Sequence, residues 1–584
     1  MSDKSKPTDK SLKDRLIDAA ANSRFLDEID EQNHDLDSRE GLPARVVSVH
    51  NSGEVNVIAE YGALEKHPAR DFFQIRRVLE KALPDLEADL IEVMRCVTHL
   101  THGAGDDLMA GSLLPPYGQF CTGDPSRPSA ALDIIAADIQ LIELLSPTLV
   151  AGSGLDEAYY WQAAIDLLDS DNADLTKRAA FALGKLHYSE SSSLPERSIE
   201  LLANLAVGSS DDELCAAITQ AAHDLLQIDS DLLPRVVALT DTVISNGGDV
   251  TLYTASHLFG LYTKEIPNEL RMTYVSHLAR VKSDHQGTIN NIDLGLTFLL
   301  AQPDPDVGIG FLESMMSGNR ELRISAFDSA ASELLKNREQ LLSRLATRWF
   351  ARGSYELCRI MQELMRLQDS ETSVLLEIVP TELVETDLIH LLFIARKSAG
   401  YLFFSPVTAA SLIVSLLQHA TDAETKDAIS GLLFETLLIN YPHKTRTYLE
   451  SIDGDDSLKD TLQSSIDKLD QYLKALEHVN DIQEHRSSIK HRESFFHHMS
   501  TEMSQAMKEA ESNSVILSLV SRSVLLYGQK SIRYLGRGQS EPADRMVTPL
   551  QGHSVEMEVP RYQNLDPLGL ELMLRRFKLE QIIQ

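Results

Sequence analysis

Apolar residues recur at steps of three and four along most of this chain. In Asn172–Leu186, N-A-D-L-T-K-R-A-A-F-A-L-G-K-L, the residues Leu175, Ala179, Ala182, Leu183 and Leu186 fall at helical spacing behind the start signals Asp171, Asn172 and Asp174. That pattern predicts one amphipathic helix. Its small residues Ala179, Ala180, Ala182 and Gly184 leave room for other helices to approach closely, which a stacked repeat requires. Similar small-residue helices begin near Leu214, Val250, Ile289, Leu322, Leu357, Leu388 and Thr425, at intervals of 31 to 39 residues. Each interval holds two helices and two short turns, the first helix of the opening unit being Glu157–Leu168.

The flanks of this region carry other patterns. Residues 1–42 are charged and acidic, with a short helix at Leu12–Ala21, and read as a mobile arm. The β-branched segments 44–50 and 54–60, joined by Asn51-Ser52-Gly53, read as a β-hairpin. Helical patterning is expected from about Ala69, with Leu86, Leu90, Val93, Val97 and Leu100 on one face. Residues 102–130, with five glycines and four prolines, read as a long loop, either disordered or functional.

Beyond the acidic turn at 453–457, Leu462, Ile466, Leu469, Leu473 and Leu476 predict a long helix, read as part of a hairpin or as a dimerisation seam. Phe495, Phe496, Met499, Met503 and Met507 continue an apolar face, residues 515–526 read as a buried helix, 554–559 as a strand and 569–583 as a helix. The domains expected are therefore a flexible acidic arm (1–42), a hairpin, helices and Gly/Pro-rich loop (43–130), helical repeats (131–450) and a C-terminal helical region with a basic tail (451–584).

The stretch Ala179-Ala-Phe-Ala-Leu-Gly-Lys-Leu186, preceded by Asp174 and Arg178, resembles the second helix of HEAT repeats, and Glu321–Leu334 keeps the Leu-Arg start and the alanine face. The resemblance covers about half of the chain and implies a mainly α fold, a HEAT-like (armadillo-like) α-solenoid with a small N-terminal hairpin module and a C-terminal helical extension. Such arrays serve as scaffolds, receptors and enzyme subunits, so it implies no activity and no catalytic residue.

Composition narrows the classes. An apolar content of 43% with only two tryptophans favours helices, and the four cysteines, Cys96, Cys121, Cys215 and Cys358, lack paired spacing, which suits a reducing cytoplasm. The polar start M-S-D-K-S-K-P-T-D-K argues against secretion, and no apolar run is long enough to span a membrane. A net charge of −33 disfavours non-specific nucleic-acid binding and favours a basic partner. Residues 520–584 run against this, with nine Lys and Arg against seven Asp and Glu.

No phosphate-binding loop, dinucleotide fingerprint, zinc-protease helix or nucleophile elbow occurs, and no cofactor is assigned. His99, His102, Asp106 and Asp107 are the best metal-like group, set against a plain polar helix end. Glu484, His491 and His498, with His485, His497 and Glu493 nearby, form a second group, set against a solvated helix face; Cys121 has no local base. In the tail, Arg522, Lys530, Arg533, Tyr534, Arg537 and Arg545, with Tyr527 beside them, are candidate contacts to nucleic acid or to a protein.

The leading expectation is a non-enzymatic cytoplasmic scaffold binding a basic protein through an acidic repeat surface. The alternatives are a nucleic-acid-associated subunit of a bacterial genome-maintenance or phage-defence system, touching DNA or RNA through the tail, and a metal-dependent hydrolase using the His99–Asp107 region.

Overall fold

The computed structural model describes residues 12–34, 40–66, 71–105, 107, 109–336, 339–367, 373–383, 390–454, 456–479, 482, 488–512, 530–535, 544–549 and 558–581, which are mainly helical. Its contacts group the chain into residues 1–333 and residues 334–584.

The first group opens with α1 (Leu12–Ala21), α2 (Phe25–His34), α3 (Leu42–Asn51), α4 (Val57–Gly62), α5 (Phe72–Ala82) and α6 (Leu90–Ala104). Residues 44–60, expected as a β-hairpin, are α3 and α4. Leu42, Val46 and Val49 are buried at helical spacing, so burial of one face outweighs the modest helix penalty of β-branched residues. The Asn51-Ser52-Gly53 turn ends a helix rather than reversing a strand. Gly53 sits at φ +74° with its N–H on the His50 carbonyl (2.8 Å), and the Glu54 N–H reaches the Val49 carbonyl (3.1 Å). Asn56 then caps α4 through the Ala59 N–H at 3.2 Å.

The described part of the expected arm is also folded. Leu16, Phe25 and Ile29 are buried, α1 packs on α3 and α2 packs on α5. The Gly/Pro-rich stretch holds α7 (Leu114–Thr122) and the first turn of α8 (Arg127–Ala137). Pro115, Pro116 and Pro128 stand in the first turns of these helices, where a missing N–H does no harm. The segment before them is fixed by Arg76, which is fully buried and binds the carbonyls of Leu100 and Met109, the Ser112 hydroxyl and the Glu80 carboxylate.

Next come α9 (Leu145–Ser153), α10 (Glu157–Leu168), α11 (Ala173–Leu183), α12 (Leu194–Ala206), α13 (Asp212–Ile228), α14 (Leu233–Asn246), α15 (Asp249–Tyr262), α16 (Asn268–Leu278), α17 (Gln286–Leu300), α18 (Asp306–Gly318) and α19 (Asp328–Leu335). They pack in two rows. In one, α7, α9, α11, α13, α15 and α17 each lie against the next; in the other, α12, α14, α16 and α18 do the same. The helix expected near Leu322 begins only at Asp328, because the Asp293 carboxylate of α17 caps it through the N–H groups of Ser329 (2.9 Å) and Ala330 (2.8 Å).

Side-chain bonds between neighbouring units recur at one period. Trp161 reaches Ser198 across 37 residues, Arg235 reaches Glu200 across 35, His277 reaches Asp241 across 36 and Asn319 reaches the Val281 carbonyl across 38. The same interval appears near the N-terminus, where Asn51 binds the Asp85 carbonyl across 34 residues and His99 binds the Leu64 carbonyl across 35.

The second group contains α20 (Glu339–Arg352), α21 (Tyr355–Leu367), α22 (Leu391–Leu402), α23 (Pro406–His419), α24 (Ala423–Leu432), a π-helical turn (Leu433–Leu438), α25 (Pro442–Glu450), α26 (Asp456–Val479), α27 (Ile489–Ser512), the antiparallel strands β1 (Lys530–Leu535) and β2 (Asp544–Pro549), α28 (Arg561–Leu565) and α29 (Pro567–Leu579). Residues 373–379 form an extended strap. Its successive N–H groups alternate between two helices: Leu376 and Ile378 donate to Ser411 and Ser415 of α23, while Glu377 and Val379 donate to Ser343 and Thr347 of α20, all at 2.8 to 3.1 Å. Two extended residues span about 6.7 Å and four helical residues about 6 Å, so a period of two matches hydroxyls four apart.

The chain then returns to its own body. Glu558 accepts from the His443 and Lys444 N–H groups at the start of α25, Asn440 holds the Arg561 and Tyr562 N–H groups, and α29 lies on α22. Residues 515–526 and 554–557 lie outside the described residues, and Glu558–Pro560 belong to no strand.

Candidate functional site

In the row α11–α13–α15–α17 the helices run parallel and in register. Lys177 meets Glu213 and Lys185 meets Asp224 between α11 and α13; Asp212 meets Thr251 between α13 and α15; Ser256 meets Asn291 between α15 and α17. Close approach sets this register. A Cβ on Gly184 would lie 2.5 Å from the Ala221 Cα, and one on Gly260 would lie 2.5 Å from the Asn291 carbonyl oxygen. The stretch Asn172–Leu186 places Gly184 by capping α11 with Asn172, whose side chain accepts from the Asp174 N–H at 2.9 Å.

The row has a solvent face that changes character along its length. On α11 and α13 it is charged and self-paired. Lys177 lies 2.7 Å from Asp174 and 2.5 Å from Glu213, bonds that push its ammonium up and hold the Asp174 carboxyl down. Lys177 is shared by two carboxylates and Lys185 pairs with Asp224, so acids still outnumber the lysines along this seam. On α15 and α17 the face carries large apolar side chains, with Tyr253 42% exposed, Leu261 54% and Leu294 49%, set among the polar His257, Gln286 and Asn290. Tyr253 lies over Gly287 and stacks on His257 at 6.5 Å, and Leu261 and Leu294 stand at the same level of the two helices.

Beneath this face is a buried polar group. His223 is 2% exposed and packs against Tyr262 with ring centroids 5.0 Å apart. Burial pushes its imidazole down, Lys185 adds to this, and the carboxylates of Asp224 and Glu265 oppose it. At the start of the same helix, three turns before His223, Asp212 receives the N–H groups of Gly248 (2.7 Å), Val250 (2.8 Å) and Thr251 (2.9 Å) and the Thr251 hydroxyl. Burial raises this carboxyl, but those bonds outweigh it and hold it below the usual carboxylate range.

The other candidates disperse. His99 binds the Leu64 carbonyl at 3.0 Å, His102 lies 3.5 Å from Glu143, and Asp107 caps the Met109 N–H, so these three serve separate local partners; Asp106 lies outside the described residues. Among the described residues no three His, Cys, Asp or Glu side chains converge as metal ligands. His491, His497 and His498 are exposed on α27, while Glu484 and His485 lie outside the described residues. Cys121 is buried, and burial pushes its thiol up to about 11, the reverse of an activated nucleophile.

Of the tail candidates, Lys530, Arg533 and Tyr534 stand on β1 and Arg545 on β2, where the register sets Tyr534 opposite Arg545 and Arg533 opposite Met546. Arg522 and Arg537 lie outside the described residues. Among the described residues no helix is long and apolar enough to cross a membrane.

Tyr253, Leu261 and Leu294 were not distinguishable from core in the sequence. V-T-L-Y-T-A-S-H-L-F-G-L is apolar on every side, so periodicity alone does not say which apolar residues face water. No protein-family model matches the chain, and no curated protein matches it in sequence.

Proposed function

We propose that the chain is a protein-binding scaffold built as a HEAT-like α-solenoid, whose partner docks on the solvent face of α15 and α17. The observation that carries this reading is the exposed apolar stripe Tyr253, Leu261 and Leu294 on two adjacent, rigidly registered helices, since apolar side chains clustered on adjacent elements mark interaction sites where scattered ones do not. The paired charges of α11 and α13 make a polar rim beside it, the arrangement of an interface core and its border. The net charge of −33 favours a basic partner by speeding encounter rather than by adding contacts.

Photo-crosslinking residues at Tyr253 and at Leu294 test this. The same partner polypeptide should be captured at both positions and not at Thr242 on α14, in the other row. Its affinity, measured with purified components, should then fall at least tenfold in Leu261→Asp. Equal capture at all three positions, or an unaffected affinity, would overturn the reading.

A further inference from the structure

A second surface lies wholly within residues 334–584 and shares no residue with the α15–α17 face. It is a groove of about 800 Å³ between α29 and the chain at Tyr355 and Phe404. Tyr355 and Phe404 are about half exposed, and Leu570 and Leu574 form its apolar wall. Its helix is firmly held. The fully buried Lys397 donates to the Lys578 carbonyl at the end of α29 (2.6 Å), Arg396 pairs with Glu580 at 2.7 Å, and the Lys578 ammonium binds Gln362 at 3.2 Å.

The charges around this groove oppose those of the chain. Although acids outnumber bases by 33 overall, Arg575 and Lys578 line the groove, Arg366 acts on Lys578, and no carboxylate among the described residues pairs with any of the three. Burial and the neighbouring Arg366 both push the Lys578 ammonium down, the response of a cation held without a counter-charge. Glu571 is the one acidic residue lining the groove. Cations with no carboxylate partner among the described residues, beside exposed aromatic side chains and in a chain with acid to spare, are complementary to an anion that also carries apolar surface.

We propose that this groove binds an acidic amphipathic helical segment of a partner protein, its leucine or phenylalanine side chains on Tyr355, Phe404 and Leu574 and its carboxylates on Arg575, Lys578 and Arg366. The groove is open to solvent, which suits a helix laid along it.

The test uses the full chain and two fluorescent helical peptides with leucines at positions i, i+3, i+4 and i+7. One carries glutamates on its flanks and the other carries lysines at the same places. The glutamate peptide should bind at least tenfold more tightly by fluorescence anisotropy, against the pull of the net charge. Arg575→Glu, at an exposed position, should cut that preference by about threefold to tenfold, since it replaces a solvent-exposed ion pair with a like-charge repulsion, while Arg575→Lys restores most of it. Both variants should unfold like the parent. Equal binding of the two peptides, an Arg575→Glu variant that keeps the preference, or binding of phosphatidylglycerol vesicles with no peptide binding would each overturn the proposal.

Discussion

Replacing Gly184 by alanine sets two effects of opposite sign against each other. The residue ends α11 in right-handed helical backbone, φ −71° and ψ −20°, so local propensity alone favours alanine by up to about 1 kcal/mol. Packing says the reverse. The added methyl would lie 2.5 Å from the Ala221 Cα and 2.9 Å from the Ala221 carbonyl oxygen, which are backbone atoms that cannot rotate away. Relief requires α11 and α13 to separate by several tenths of an ångström, straining the Lys177–Glu213 and Lys185–Asp224 contacts along the same seam. Overpacking of this kind destabilises by roughly 1–3 kcal/mol, so the net effect is destabilising despite the propensity gain. Gly310, on α18, is the control: nothing lies within 4 Å of its added Cβ, so Gly310→Ala should stabilise by up to about 1 kcal/mol. Urea denaturation followed by the fluorescence of Trp161, buried on α10 against the same rows, reads both variants in a Trp349→Phe background. A Gly184→Ala variant as stable as Gly310→Ala would refute the close approach of α11 and α13.

Three further outcomes follow from the same contacts. Asp212→Ala should destabilise by about 2–3 kcal/mol because it strips several N–H acceptors from the start of α15, and Asp212→Asn should recover part of this; urea midpoints check both. His223 has a lowered pKa in the fold, so the unfolded chain binds its proton more readily. Its contribution is therefore intact above the ordinary value of 6.5 and is lost as the pH falls from there through the lowered value, and His223→Phe should flatten the stability profile in that window. The double change Ser411→Ala and Ser415→Ala leaves the Leu376 and Ile378 amides unpaired, costing roughly 1–3 kcal/mol for each and raising hydrogen exchange at those two amides first.

The helical period was legible because it is written in small and apolar residues that recur: the predicted units at 175, 214, 250 and 289 match α11, α13, α15 and α17. The N-terminal region was misread where local preference and burial disagree. Val46, Val47 and Val49 favour a strand as isolated residues, but Val46 and Val49 share a buried helical face with Leu42. Prolines 115, 116 and 128 look like loop residues until their place in a first helical turn is known. The strap at 373–379 is recorded in the sequence only as paired hydroxyls four apart on two distant helices, a relation that no local window contains. Exposure of Tyr253 and Leu261 was hidden for a different reason: their helix has no polar side to orient it.

The proposed partner face exists only if α11, α13, α15 and α17 stand side by side in register. Spin labels at the exposed positions Asp174, Val250 and Gln286, with the four native cysteines buried, measure this by double electron–electron resonance. With neighbouring helices about 8–10 Å apart, the backbone separation should rise from about 16–20 Å for 174–250 to about 24–30 Å for 174–286. Separations that fail to grow by one helix spacing between these two pairs would contradict the stacked row and the binding face it carries.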